Sequence, residues 1–376
     1  MTTSGKIGLA LSGGGVRAMV FHAGVLKWLA EQNKLEYITD ISTVSGGSLF
    51  TGLVFRISGW KWPSSQEYLT TVLPEIRQLL TKNNLQKHAT LLLICPCNWR
   101  YLFSRANVLA MAIEELWDVR ATLQEVPNLP VWSANGTTAE TGRRFRFKKG
   151  KCGDYELGEA DAQHFKVSEA MAASAAFPLL IGPLSVDATS LQWYKRLQWG
   201  DAPGSEQPIT PPFQRLHIMD GGVYDNLGME PIFDVGKQKL KSSIERLIVS
   251  DAGAPLKRAP LPPQFHKGRA KRIVDITMDQ ARALRVRALV NFIQENPEVA
   301  RYIQLGSNPR RVAAQYKGQV DENMLSEDQW LPDEMIQASA DWPTDLNQLT
   351  ESTFELIARH GYETAKWNDL LFLRHQ

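Results

Sequence analysis

Apolar runs that stop at glycine recur early in the chain. Ile7–Leu11 ends at Ser12-Gly13-Gly14-Gly15, which predicts a buried strand followed by a loop. From Arg17 to Asn33, the positions Val20, Phe21, Gly24, Val25, Trp28 and Leu29 fall three or four apart, the spacing of one helix face. Ile38–Val44 predicts a second strand and Gly47–Ser58 a second helix. Strand, loop and helix in immediate repetition indicate an α/β chain with a parallel sheet.

Farther on, the pattern predicts helices over Pro74–Leu85 and Asn107–Trp117, around an irregular middle. Strands follow at Val131–Asn135 and Arg143–Lys148, then a small-residue helix, Glu169–Ala176, capped by Ser168 and stopped by Pro178. Residues 184–212 carry Gly200, Gly204, Pro203, Pro208, Pro211 and Pro212 and read as an insertion. Strands Arg215–Met219 and Leu247–Ser250 end at Asp220-Gly221-Gly222 and at Asp251. Ala259–Arg269 reads as a surface loop, with a helix over about Asp275–Gln294, a strand near Tyr302–Leu305 and a tail helix, Leu346–Arg359, stopped by Gly361. No repeat and no linker composition is visible. One elaborated domain over 1–376 is expected, with a motif-bearing core at about 7–255 and an extension at about 256–376 packed on it.

Composition narrows the class. With 43% hydrophobic and 22% charged residues, the 376-residue chain reads as an ordinary soluble globular protein. Its net charge of +2 gives no case for a nucleic-acid binder, and none is expected. The three cysteines, Cys95, Cys97 and Cys152, suit a reducing compartment, so the expected location is cytoplasmic. Cys95-Pro96-Cys97 lacks a second ligand pair at zinc spacing, and no metal is expected. No secretory signal is visible, Thr2 stands where myristoylation needs glycine, and no C-terminal prenylation cysteine is present. The longest apolar cluster, Leu91–Cys95, is far short of the roughly 20 residues of a spanning helix. The 11 Trp leave room for contact with a membrane surface.

Three motifs can carry chemistry. Gly13, Gly14 and Gly15 lie between a strand and a helix N-terminus, where uncovered amides and the helix dipole hold an anion: a phosphate, or the oxyanion of an ester's tetrahedral intermediate. The same loop satisfies a dinucleotide-binding pattern through Ala18, with Glu36 beyond it. Ser45, in Thr43-Val44-Ser45-Gly46-Gly47, has the strand-to-helix context of a nucleophile elbow, with Thr43 where the motif usually has glycine. A serine needs a base. Asp220, at the end of what reads as a neighbouring parallel strand, would stand on the same sheet edge as Ser45, and Asp251 is a rival. No histidine after Asp220 (His266, His360 or His375) has a loop context that argues for catalysis.

Together, Gly13-Gly14-Gly15-Val16-Arg17, Val44-Ser45-Gly46-Gly47 and Asp220-Gly221-Gly222 resemble the patatin-like phospholipase family. Ala172-Ala173-Ser174-Ala175-Ala176-Phe177-Pro178 and Val223-Tyr224-Asp225-Asn226 look like further family blocks, and Ala18 departs from the glycine that commonly follows the arginine. The resemblance implies a three-layer α/β sandwich whose mostly parallel central sheet is flanked by helices. It implies lipid acyl hydrolysis by a Ser45–Asp220 dyad without a cofactor. Gly13, Gly14 and Gly15 would form the oxyanion hole, and Arg17 would orient that loop or sit near a phosphate. The partners it implies are an acyl-lipid substrate, such as a membrane phospholipid, and a transient contact with the inner membrane surface.

Two other readings stay open: a non-catalytic lipid or nucleotide sensor on the same fold, and an NAD-binding oxidoreductase built on the glycine loop. Residues 88–105, with Leu91–Ile94, Trp99, Tyr101, Leu102 and Phe103 flanked by Arg100 and Arg105, read either as a membrane-facing lid or as a packing loop. Lys257, Arg258, Lys267, Arg269, Lys271, Arg272, Arg282, Arg285 and Arg287 face only Asp275 and Asp279 in their own stretch. They read either as an attachment surface or as a solvated face paired with acids such as Glu295 and Glu298.

Overall fold

The computed structural model describes residues 5–372 apart from 179, 197, 199–200, 203, 242, 317–324 and 326–329. The first strand–helix units are β1 (Ile7–Leu11), α1 (Gly15–Glu31), β2 (Ile38–Val44) and α2 (Gly46–Ile57), within two residues of the predicted bounds. Helices α3 (Ser65–Glu67), α4 (Leu73–Lys82), α5 (Leu85–Ile94) and α6 (Ala106–Trp117) follow. Next come β3 (Val131–Thr138), β4 (Arg144–Lys148), β5 (Lys151–Asp154), β6 (Gly158–Asp161) and α7 (Val167–Ser174). They lead to β7 (Leu184–Asp187), β8 (Trp193–Lys195), β9 (Gln207–Ile209), β10 (Arg215–Asp220) and the short α8 (Gly222–Asp225). A small ladder, β11 (Phe233–Asp234) with β12 (Lys239–Leu240), precedes β13 (Arg246–Asp251), α9 (Lys267–Glu295) and β14 (Ala300–Gln304). Helices α10 (Pro309–Gln315), α11 (Asp333–Asp341) and α12 (Glu351–Phe372) complete the order. Among the described residues, no helix is long and apolar enough to cross a membrane.

The centre of the sheet runs β14-β13-β1-β2-β3, all parallel; beyond β3 it continues antiparallel through β4, β5, β6, β8 and β9. Alternation along the central strands sorts side chains onto two faces. Leu9, Leu11 and Ile248 join the core beneath α1 and α2, whereas Ala10, Leu247 and Val249 pack on the other face against Leu289 and Phe292 of α9. The layers are therefore helix, sheet, helix, as the resemblance implied.

Several local expectations are corrected. The helix read as capped by Ser168 begins at Val167, and the Ser168 hydroxyl instead donates to Glu114 (2.8 Å). The irregular middle contains α5, because Asn83 and Asn84 end one helix and cap the next. Residues 184–212 are not an appended insertion, since β7, β8 and β9 all pair into the sheet, with Pro208 tolerated on the edge strand β9. Helix α9 starts at Lys267, inside the stretch read as loop. Gly361 does not stop the tail helix. It and Gly24 let α12 and α1 touch backbone to backbone, since a Cβ at Gly361 would lie 2.1 Å from the Phe21 carbonyl oxygen and one at Gly24 1.9 Å from that of Ala358.

Candidate active site

Ser45 follows Val44, the last residue of β2, and adopts φ +50°, ψ −119° on the way into α2. That conformation costs a non-glycine residue of order 1–3 kcal/mol and persists only where its surroundings enforce it. The surroundings are tight. A Cβ at Gly46 would lie 2.3 Å from the Gly15 carbonyl oxygen, and one at Gly47 2.4 Å from that of Leu11, so α2 starts pressed against β1 and the glycine loop.

Below the turn, the Ser174 hydroxyl accepts from the Ser45 N–H (2.9 Å), donates to the Asn135 carbonyl (2.7 Å) and meets the Ser48 hydroxyl (2.8 Å). Ser48 in turn meets the Thr43 hydroxyl (2.8 Å), which accepts from the Trp132 indole (2.9 Å). Thr43, the departure from the usual elbow glycine, thus belongs to the scaffold of the turn. Ser174 was not singled out from the sequence. Its signal was a lone hydroxyl within Ala172–Ala176, where small neighbours let strand ends approach.

Asp220 reaches Ser45 by a route other than the neighbouring parallel strand expected from sequence. Strand β10 is not parallel: it pairs antiparallel with β3, Asp220 opposite Gly136. Strand β2 pairs with the same edge of β3 and ends with Val44 opposite Asn135. The two strands therefore meet end to end along β3, and their C-terminal residues occupy successive positions. The Asp220 N–H donates to the Ala176 carbonyl (3.0 Å) and the Gly221 N–H to that of Ser174 (3.3 Å), so one segment braces both turns.

The Asp220 carboxylate is buried, accepts from the Gly222 N–H (2.7 Å) and lies close enough to the Ser45 hydroxyl to feel it. Burial pushes its pKa up to about 7 against the opposing pull of those two donors. None of its described hydrogen bonds involves an imidazole. His22 is sealed between Ser250 and the Ser12 carbonyl and His360 accepts from the Gly306 N–H; burial lowers both to about 4. The rival base Asp251 is held by Arg282 (2.8 Å to Nε), the Tyr302 hydroxyl (2.5 Å) and the Gly253 N–H (3.0 Å), and none of its described hydrogen bonds reaches Ser45.

The glycine loop lies over the elbow: a Cβ at Gly13 would sit 3.0 Å from the Ser45 Cβ. Its three amides are not equivalent. Gly13 N–H donates to the Asn226 carbonyl (3.1 Å), and Val16 N–H to that of Asp345 (2.9 Å). Among the described hydrogen bonds none uses the Gly14 or Gly15 N–H, and these two residues have φ +149° and +63°. The Gly13 amide expected to point at an oxyanion is thus engaged within the protein, while those of Gly14 and Gly15 carry no described hydrogen bond. Arg17 is buried, its guanidinium donating to the carbonyls of Trp342 and of Ala252 (3.2 Å to the latter), and burial lowers its pKa to about 10. It ties the loop to two other segments, which favours orientation over contact with a phosphate. Glu36, the acid of the dinucleotide pattern, accepts from the Ser65 N–H and hydroxyl (both 2.6 Å).

Ser45, Asp220 and the glycine loop open onto a cavity of about 850 Å³. Leu93, Val108, Leu109, Phe177 and Ile181 supply an apolar wall, and Lys271, Arg272 and Asp275 a polar one.

Comparison with known proteins follows the same lines. The Patatin-like phospholipase family profile matches residues 9–233. Among curated proteins none matches. Of solved structures, human GIVD cytosolic phospholipase A2 is similar at 14% identity and TM-score 0.52, over 98% of this chain and 59% of that one. The same human protein in complex with a methyl γ-linolenyl fluorophosphonate inhibitor and terbium chloride is similar at 12% identity and TM-score 0.51, over 96% of this chain and 58% of that one. At such identities the likeness is one of fold, and this chain spans less than two thirds of the human chain. The family match, by contrast, covers more than half of the sequence and every motif discussed above: the chain belongs to the patatin-like phospholipase family.

Proposed function

We propose that the protein is a serine acyl hydrolase that cleaves fatty-acyl esters of membrane lipids through a Ser45–Asp220 dyad. The observation that carries this reading is the strained Ser45 turn beside the buried Asp220 carboxylate and the glycine loop, all three lining one cavity with an apolar wall; burial pushes the pKa of that carboxyl up to about 7. A base is most effective when its pKa lies near the working pH, and an ordinary aspartate near 3.9 is too weak.

In the proposed cycle the Ser45 Oγ attacks the ester carbonyl carbon while its proton passes to Asp220. The oxyanion accepts from the Gly14 and Gly15 amides, each such donor being worth roughly 10²–10³ in rate. Collapse breaks the bond to the alcohol, which leaves with the proton from Asp220. Water, giving a proton to Asp220, then attacks the acyl-serine, and the fatty acid departs as Ser45 recovers its proton. Arg17 positions the loop. No described feature favours the sensor reading, and the engagement of Glu36 by Ser65 disfavours the dinucleotide one.

The test pairs labelling with turnover. A fluorophosphonate probe should form an adduct on Ser45, located by peptide mass spectrometry. The wild-type chain should release fatty acid from phospholipid vesicles, and Ser45→Ala and Asp220→Asn should not. Hydrolysis that survives Ser45→Ala overturns the proposal.

A further inference from the structure

The mouth of the cavity has two rims, and both carry large apolar side chains turned to solvent. The first is formed by α5 and the turns after it. Ala89 and Leu93 of α5 line the cavity, while Leu91 and Ile94, on the other side of the helix, are 54% and 66% exposed. Trp99, Leu102 and Phe103 follow at 62%, 47% and 88%. Leu180 adjoins them: it lines the cavity, is 52% exposed, and its neighbour Gly182 lies against the Phe103 carbonyl. The second rim is the coil before α9 and the first turns of that helix. Pro255, Leu256, Lys257, Lys271 and Arg272 line the cavity from this side, and Leu261, Phe265, Ile273 and Ile276 are exposed, Phe265 almost completely. The rims approach where the Lys271 ammonium sits 5.6 Å from the centre of the Phe177 ring.

Exposed apolar side chains scattered singly need no explanation, but a cluster of this size around one opening marks an interaction surface. Charge selects the partner. Three sets of side chains stand out in the basic stretch from Lys257. Arg282 and Arg285 turn inward to Asp251 and to Asp225 and Glu230, partners other than the Glu295 and Glu298 anticipated from sequence. Lys257 and Lys271 pair with Asp341 and Asp275. Arg258, Arg269 and Arg272 have no carboxylate partner among the described ion pairs; Arg269 and Arg272 donate only to the carbonyls of Pro262 and Lys257. On the opposite rim the described contacts of Arg100 and Arg105 are with the Tyr101 ring and the Leu102 carbonyl, with no carboxylate among the described ion pairs. Exposed aromatics and guanidinium groups without a carboxylate partner among the described ion pairs thus occur on both rims. That combination matches a surface with an apolar interior and anionic headgroups.

We propose that these two rims form a single docking face for an anionic lipid bilayer, placing the cavity mouth against the membrane so that an acyl chain enters without crossing water. The proposal deepens the hydrolase reading and rests on it for its purpose, but docking is measurable without catalysis. Co-sedimentation of the full chain is measured with phosphatidylcholine vesicles, and with vesicles containing about one-third phosphatidylglycerol. Trp99→Ala/Phe103→Ala/Phe265→Ala should weaken binding to both vesicle types by at least about tenfold. Arg100→Gln/Arg258→Gln/Arg269→Gln should weaken binding to the anionic vesicles alone, on the order of fivefold per side chain that faces the headgroups, and flatten the salt dependence. Both variants should keep wild-type thermal unfolding and fluorophosphonate labelling of Ser45, since none of the altered side chains lines the cavity and all but the half-buried Arg269 are exposed. Binding that neither variant changes overturns the proposal, as does a folded wild-type chain that ignores anionic vesicles. Docking without hydrolysis of any ester would instead refute the hydrolase reading and leave the docking face standing.

Discussion

Replacing Asp220 by asparagine should make the protein more stable, and the gain should grow with pH. The carboxyl has a pKa of about 7 in the folded chain and about 3.9 when unfolded. Between these values the native state holds a proton that the unfolded state has released, so folding stability falls as pH rises from about 4 to about 7. Well above pH 7 the full cost is roughly 3 pKa units, or about 4 kcal/mol. At about pH 5.5 it is only about 2 kcal/mol by the same relation. Asparagine keeps an oxygen for the Gly222 N–H and an amide for the Ser45 hydroxyl, without the charge. The difference in unfolding free energy between Asp220→Asn and wild type should therefore favour the variant and widen by about 2 kcal/mol from about pH 5.5 to about pH 8. Comparing the two proteins at each pH cancels the other titrating groups. Urea unfolding, followed by Trp fluorescence and far-UV circular dichroism with coincident transitions, measures it. A difference that stays the same across that range, or shrinks, would mean that burial does not hold this carboxyl up, and the argument for Asp220 as a base poised near neutrality would fail.

The rate of hydrolysis should show the same group from the other side: kcat/KM on a soluble ester should rise with pH to a plateau, with an apparent pKa near 7, and a profile flat from about pH 5 upward would remove Asp220 as the base. Gly15→Ala should lose roughly 10²-fold or more in kcat, because a Cβ there meets the Asp345 carbonyl oxygen at 2.4 Å on a backbone of φ +63°; near-wild-type kcat would exclude its amide from the oxyanion site. Ser174→Ala leaves the Ser45 N–H without its acceptor, so it should cost about 1–3 kcal/mol of stability and lower kcat more than it changes KM, whereas an unchanged kcat would reduce Ser174 to packing.

The elements that were legible from sequence are those set by local periodicity. The first strand, the first helix, the second strand and the elbow helix are short, strongly apolar and punctuated by glycine, so their bounds emerge within two residues. What stayed hidden depends on pairing between distant segments. Nothing in Arg215–Asp220 announces that β10 runs antiparallel to β3 and meets β2 end to end. Asp220 is legible because it ends a strand, while the direction of that strand is not. Gly361 was read as a stop because glycine ends helices more often than it lets two of them touch, and only the crossing partner Phe21 tells the cases apart. Ser174 and the engaged Gly13 amide were invisible for a related reason: each is defined by its partner, Ser45 or Asn226, rather than by its neighbours.

The end-to-end meeting of β2 and β10 also bears on how the proposed dyad would work without histidine. An imidazole brings a pKa near neutrality with it, whereas a carboxylate must be brought there by its surroundings, which requires burial without a neutralising partner. Asp251 has different surroundings: it too ends a strand of this sheet, but Arg282 lies against it. At Asp220 the surroundings contain two neutral donors and no cation within ion-pairing distance among the described residues. The seam along β3 produces this difference. Two chain ends converge there, their backbone amides are satisfied by Ser174 and Ala176, and the charge is enclosed by strand termini instead of long basic side chains. Placing a lysine beside Asp220 should therefore abolish the proposed chemistry while leaving every atom of the dyad present. Val44 is the position to use, since its side chain packs near Gly221 and Gly228. A Val44→Lys chain that folds, checked by near-UV circular dichroism, should show an acid-shifted and much slower pH–rate profile than a Val44→Leu control. Equal rates in the two would mean that the raised pKa of Asp220 is incidental to the reaction.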